Sequence, residues 1–283
     1  MTIWEADFYR RPLRNAAGQP LWELLLCDQQ RQLILSAMCP QPDATAAWLT
    51  GQLRSHFAAG VTPPERLRVF RPQSLSLLQV ACEPLGIAVE GTRRTPAIKA
   101  ALLARASAYA QMPEYSSEAY QPLYIEKAPP APLPETLWGD RWRFGAMAAG
   151  DLISVFRHRP VPILEMPTEL LPVQLGLAST TPIPGVILEG GRRSLQIARW
   201  LQAHQPVSLH YRTGDPDGLI LEAGLSDRWV IATTTDPDMA AAARTYEERQ
   251  QASQGLHFLL IEPDDSGQTS TAFWLLRPDP FGS

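Results

Sequence analysis

The stretch EGTRRTPAIKAALLAR, Glu90–Arg105, returns 99 residues later as EGGRRSLQIARWLQAH, Glu189–His204, with seven identities in sixteen positions. An apolar run leads into each copy, LGIAVE before the first and PGVILE before the second. Each then has a Glu-Gly turn, an arginine pair, and Thr95 or Ser194, residue types that cap a helix N-terminus; Pro96 suits the first helical position. Further upstream Pro72 and Leu75 are echoed by Pro167 and Leu170. Strand, turn, basic pair and helix repeated in this order predict an α/β (mixed α+β) fold: two related α/β units from an internal duplication, with mixed sheets flanked by helices.

Between the copies, Met112–Trp138 reads MPEYSSEAYQPLYIEKAPPAPLPETLW, whose six prolines exclude a continuous helix or central strand. The expected division is therefore an N-terminal unit over 1–111, a Pro-rich linker over 112–137 and a C-terminal unit over 138–283. In the first unit Ile3–Tyr9, Leu21–Cys27 and Gln32–Ala37 read as strands of an antiparallel meander, followed by a helix capped by Asp43. Leu67–Phe70 and Gly86–Val89 read as short strands, SLSLLQVACEPLG as a helix ending at Pro84, and a further helix starts from Thr95. In the second unit strands are expected around Trp142–Met147, Val186–Leu188, Val207–Tyr211, Leu219–Glu222, Trp229–Thr234, Leu256–Ile261 and Ala272–Leu276, with helices at Ser194–Ala203 and Asp238–Ser253.

Across 283 residues, 45% are hydrophobic and 19% charged, which excludes wholesale disorder. No apolar run approaches the roughly 18 residues of a membrane-spanning helix, and MTIWEADFYRRP has charges where a signal peptide needs its apolar stretch, so a soluble, intracellular chain is expected. Cys27, Cys39 and Cys82, an odd number without CxxC spacing, read as reduced, mostly buried thiols. The net charge of −4 lacks the basic excess of many nucleic-acid binders, so any such binding must be local. Residues 1–115 carry 12 basic and 9 acidic groups, against 12 and 17 in residues 136–283, which makes the first half the more plausible polyanion binder.

A phosphate between the arginines and a helix start is one reading of the repeat, with Arg93, Arg94, Arg192 and Arg193 as its cations; the other leaves these arginines solvated or paired with Glu90 and Glu189. YRRPLR at Tyr9–Arg14 lies near Trp4, Phe8 and Trp22 in sequence, and aromatics interleaved with basic groups are what unpaired bases and phosphates require; Arg10 and Arg11 are candidates here. Alternation, however, turns Trp4 and Phe8 toward the core. RLRVFRP adds Arg68 and Arg71. No catalytic motif is evident: His56, His158, His204, His210 and His257 lack paired-ligand spacing and read as structural, so no catalytic residue, metal or cofactor is expected. Glu5, Asp7, Glu23 and Asp28 on neighbouring strands could converge on a divalent cation in a nuclease-like site, although strand-borne carboxylates usually face solvent.

WEADFYRRP, LWELLLCD, RVFRPQ, LWGDRW, IPGVILEGGRR with IARWLQ, GLHFLLI and AFWLLRP, in this order from Trp4 to Pro278, resemble the Tab/Atab translation-factor family of chloroplasts and cyanobacteria. The resemblance implies a non-enzymatic protein that binds single-stranded, A/U-rich RNA. Its expected target is the 5′ untranslated region of the photosystem I reaction-centre message, whose translation it promotes together with photosystem biogenesis. A chain beginning MTIWE leaves no room for a transit peptide, so a cytoplasmic prokaryotic form, peripheral to the thylakoid at most, is expected. Ribosomal or photosystem assembly proteins are further candidate partners. The duplication suggests a pseudo-twofold groove, an arrangement a homodimer would also generate. A competing class is an assembly factor whose FWLL and LHFLL edges and Pro-rich segment bind another protein; a third is the divalent-metal nuclease.

Overall fold

The computed structural model describes residues 2–157, 159–279 and 281. The described residues up to Glu126, with Asp279 and Phe281, cluster as one compact unit, and Lys127–Pro278 as a second.

In the first unit, β1 (Ile3–Arg14), β2 (Pro20–Cys27) and β3 (Leu33–Pro40) form the antiparallel meander. After α1 (Ala46–Ala58), β4 (Arg66–Val69) enters parallel to β1; α2 (Pro72–Cys82) then leads to β5 (Ala88–Gly91), parallel to β4, and α3 (Pro96–Tyr109) follows. The sheet order is β3-β2-β1-β4-β5. Period-two alternation decides which helix covers which face. Trp4, Ala6 and Phe8 of β1, with Leu24 and Leu26 of β2, pack under Leu49 and Leu53 of α1 and Leu78 of α2. Leu25 and Cys27 face the other way, against Phe70 and Ala97, Ile98 and Leu102 of α3. Both faces are thus covered, and the carboxylates of Asp7 and Glu23, expected on a solvated face, are fully buried beneath α3 and its neighbours. The α1 cap differs by two residues from expectation: Thr45 Oγ1 accepts from the Trp48 N–H at 3.2 Å, while Asp43 closes a preceding 3-10 turn. The Pro-rich segment is fixed to this unit over its first half, where Leu123 and Ile125 pack against the α3 cluster.

The second unit begins with β6 (Ala131–Pro132), β7 (Arg141–Ala148), α4 (Ala149–Arg157), β8 (Ile163–Glu165) and β9 (Pro182–Glu189). It continues through α5 (Ser194–His204), β10 (Pro206–Arg212), β11 (Asp217–Ala223), β12 (Asp227–Thr234), α6 (Pro237–Ala252), β13 (His257–Glu262) and β14 (Ala272–Leu276). One sheet runs β7-β9-β13-β14-β8, with β9 parallel to β13 and β8 parallel to β14; a second runs β10-β11-β12-β6. Every residue of β13 and β14 is buried, as in strands covered on both faces. That corrects the expectation that FWLL and LHFLL form an edge for another protein: β14 lies between β13 and β8, and its side chains fill the core. The repeated module, strand into basic turn into helix, recurs as β5–α3 and β9–α5, on an edge strand in one unit and an interior strand in the other. Among the described residues, no helix is long and apolar enough to cross a membrane.

Candidate functional site

The arginines of the first unit divide by burial. Arg11 has a side chain wholly closed to water, with Asp7 at 2.9 Å and Glu23 at 3.0 Å. Arg71, equally enclosed, donates from Nε to Asp7 Oδ1 at 2.9 Å. Strand geometry explains the grouping: Asp7, Tyr9 and Arg11 project to one face of β1, and Glu23 lies across from Tyr9 in the β1–β2 register. Glu23 also accepts from the Tyr109 hydroxyl, from Ser36 Oγ at 2.8 Å and from Arg105. Burial alone would weaken the Arg11 charge, but the neighbouring Asp7, supported by the tyrosines and Glu23, outweighs it and holds the guanidinium protonated. This corrects two expectations. Arg11 and Arg71 have no accessible guanidinium to offer a phosphate, and Asp7 and Glu23 pair with arginines instead of a divalent metal cation. Among the described residues, no group of three or more His, Cys, Asp or Glu is placed to hold a metal ion.

The helix start in the first repeat is also filled from within. Glu5 Oε2 accepts from the Ile98 N–H at 2.9 Å, so a carboxylate from β1 stands where a phosphate was expected at the head of α3. Burial raises the Glu5 pKa and this backbone hydrogen bond opposes the rise. The Arg93 carbonyl accepts from Lys99 Nζ, which also pairs with Asp279. Arg94 is exposed beside this turn. Glu90 is held by Arg66 at 3.1 Å and Arg68 at 3.3 Å from the neighbouring strand β4, rather than by Arg93 or Arg94. In the second repeat Arg143 of β7 plays the corresponding part, reaching Glu189 at 2.7 Å and Glu262 at 3.2 Å. Arg193 pairs with Asp140 at 2.7 Å, and Arg192 is exposed at the entry to α5. The repeated glutamate is therefore an arginine-held strand end in both units. The structure groups Arg10, Arg11 and Arg71 around one feature in the first unit, apart from the repeat turns.

That feature is an open cavity of about 460 Å³ lined by Tyr9, Arg10, Glu118, Tyr120 and Tyr124 among others. Its outer wall is the Pro-rich segment, tied down by the buried arginines: Arg71 donates to the Tyr124 carbonyl at 2.8 Å and to the Pro122 carbonyl at 2.7 Å, and Arg11 to the Tyr120 hydroxyl at 3.4 Å. The Arg71 guanidinium also lies 4.2 Å from the Tyr9 ring centre. At the rim Glu118 accepts from Arg14 at 2.6 Å and Arg10 at 3.5 Å, exposed pairs of small energetic weight. Tyr124, 56% exposed, is the one exposed aromatic among the described residues. No single stretch of sequence contains this site; the only local signal was the aromatic and basic mix at Tyr9–Arg14.

Elsewhere the expected structural roles hold. Trp4 and Phe8 are buried, the three cysteines are free and buried, and burial pushes the Cys27 thiol up to about 12. His56 meets the Trp4 ring edge-on, His204 stacks on Trp200, Ser208 Oγ and His210 Nε2 are 2.9 Å apart, and His257 is fully buried; His158 lies outside the described residues.

Two mixed α/β units are thus described, the first with buried carboxylates neutralised by arginines and an aromatic, arginine-rimmed cavity open to solvent. Residues 3–105 match the family described as RNA-binding protein Tab2/Atab2 N terminal, and residues 120–277 match RNA-binding protein Tab2/Atab2, C-terminal domain. The chain belongs to the Tab2/Atab2 family of RNA-binding proteins. It is 30% identical over 283 residues to the chloroplastic TAB2 homolog of Zea mays, covering 98% of this chain and 72% of that protein. The Arabidopsis thaliana homolog, also named chloroplastic, is 28% identical over 279 residues, covering 96% and 74%. Among solved structures, the HTLV-2 integrase catalytic core domain in complex with magnesium matches 36% of this chain and 69% of that chain, with 15% identity and a TM-score of 0.24, a likeness that carries no argument.

Proposed function

We propose that this protein binds single-stranded, A/U-rich RNA in the 5′ untranslated region of the photosystem I reaction-centre message and so promotes its translation and photosystem biogenesis. The observation that carries the reading is the pair of Tab2/Atab2 domain matches, which together take in 3–105 and 120–277. The exposed arginines Arg10, Arg94 and Arg192 support it as phosphate contacts, since a chain of net charge −4 must bind RNA through local cations. Preference for A/U-rich RNA follows physically, because such sequences form weaker competing structure and leave bases free to stack. Ribosomal or photosystem assembly proteins would be further partners, and the chloroplastic relatives fit a place of action beside the thylakoid. Equilibrium binding of the purified chain to A/U-rich and G/C-rich single-stranded RNAs across a salt series tests this. The expected result is tighter A/U binding, a steep salt slope and intact RNA; no binding to either RNA overturns it.

A further inference from the structure

The strongest unassigned feature is the tyrosine cavity of the first unit. Three of its walls are tyrosines, Tyr9, Tyr120 and Tyr124, and its rim carries Arg10 with Arg14 close by on the same strand. At about 460 Å³ it falls within the usual range of roughly 300 to 1,000 Å³ for small-ligand sites, so its size admits a nucleobase. The site is built rather than incidental. Buried Arg71 holds the backbone of the outer wall at two carbonyls and backs the Tyr9 ring, and buried Arg11 reaches the Tyr120 hydroxyl, so the aromatic faces are set before a ligand arrives. Tyr124 leaves more than half of its surface open. Flat faces take any base, while an arginine at the edge takes the adjoining phosphate. Glu118 holds both Arg10 and Arg14 at that rim.

From this geometry we propose that the Tyr9–Tyr120–Tyr124 cavity receives an unpaired RNA base, with Arg10 and Arg14 exchanging Glu118 for the neighbouring phosphate; this rests on the RNA-binding reading. Arg11 and Arg71 act here as positioning residues through the Pro-rich segment.

The test is fluorescence anisotropy with a labelled single-stranded oligouridylate, using the full chain and the variants Tyr124→Ala, Tyr124→Trp and Glu118→Gln, each checked for an unchanged thermal melt. Loss of one stacked base weakens binding by about 5- to 150-fold, so Tyr124→Ala is expected in that range, with Tyr124→Trp within about twofold of the parent. Glu118→Gln removes a negative charge from the rim and is expected to bind more tightly, with a steeper salt slope. An abasic ribose-phosphate oligomer, which offers phosphates without bases, should not distinguish Tyr124→Ala from the parent. If the parent binds oligouridylate and all three variants bind it equally, the cavity assignment falls while RNA binding stands. If the parent binds no RNA, both fall. If Tyr124→Ala abolishes binding of a polyproline peptide and leaves RNA binding intact, the cavity belongs to a protein partner and the proposal is overturned.

Discussion

Arg71 Nε donates to Asp7 Oδ1 at 2.9 Å, in a part of the first unit where neither side chain reaches water. The pair joins β1 to the residue that precedes α2, and the same guanidinium continues outward to the Pro122 and Tyr124 carbonyls. Removing one member of a buried pair leaves the other charged and uncompensated, at a cost of about 3–5 kcal/mol. Asp7→Ala should lower stability by that much in urea denaturation. Asp7→Leu combined with Arg71→Met should recover part of it, because Arg71 is no longer stranded, while buried Arg11 loses Asp7 and keeps Glu23 as its partner. A loss under about 1 kcal/mol for Asp7→Ala would show the pair to be solvated.

His257 makes the second unit sensitive to acid. The Leu209 N–H can only donate, so the ring nitrogen it meets at 2.9 Å, Nε2, is unprotonated; Nδ1 then carries the proton and donates to the Gly255 carbonyl at 2.8 Å. Complete burial presses the His257 pKa down to about 3. The unfolded chain takes up its proton near pH 6.5, and the folded chain does so only near 3. Stability is therefore full above about pH 6.5 and falls as pH drops from there toward 3, by about 1.4 kcal/mol per pH unit. His257→Gln should flatten this part of the stability profile while lowering its plateau. An unchanged slope between pH 6.5 and 4 would contradict the assignment.

Two glycines of the second repeat have no room for a side chain. A Cβ at Gly190 would stand 2.7 Å from the Ser194 Cα, so the turn from β9 into α5 closes only on a hydrogen. A Cβ at Gly185 would enter the Phe258 ring. Gly185→Ala should cost about 1–3 kcal/mol in denaturant melts, and Phe258→Leu should compensate in part. Gly190→Ala has backbone as its obstacle, and no neighbouring truncation should rescue it.

Charge reversal at the exposed arginines should register in RNA binding and little in stability. Arg10→Glu and Arg192→Glu are each expected to weaken binding of an A/U-rich strand at low salt and to flatten the slope of log affinity against log salt by about 0.7 for every phosphate no longer neutralised. Arg68→Glu sets Glu90 against a like charge, so its effect should appear in thermal melts as well. Unchanged affinity and slope for Arg10→Glu would remove the rim from the interface.

Most elements were legible because they rest on local periodicity. The alternation of WEADFYRR placed Trp4, Ala6 and Phe8 on the buried face, and the arginine turns were correctly followed by α3 and α5. Less was legible where partners arrive from far along the chain. Asp7 read as a solvated strand carboxylate because Arg71 and the covering helix α3 lie 64 or more residues away; its same-face spacing from Arg11 was the one local hint. Arg11 and Arg71 read as phosphate ligands for the same reason. The nine-residue α4 and the three-residue β8 escaped notice, β8 being brief and set between Pro162 and Pro167. The cavity itself draws on β1 and on a Pro-rich segment more than 100 residues later, a pairing that no spacing rule reveals.

RNA binding at this cavity is tested most directly by photo-crosslinking of the intact protein to a 4-thiouridine-substituted, A/U-rich single-stranded RNA, followed by mapping of the crosslinked peptides. Crosslinks are expected on the segments bearing Tyr9–Arg14 and Glu118–Tyr124, suppressed by unlabelled A/U-rich RNA and by Tyr124→Ala. Efficient crosslinking that leaves both segments unmodified would contradict it.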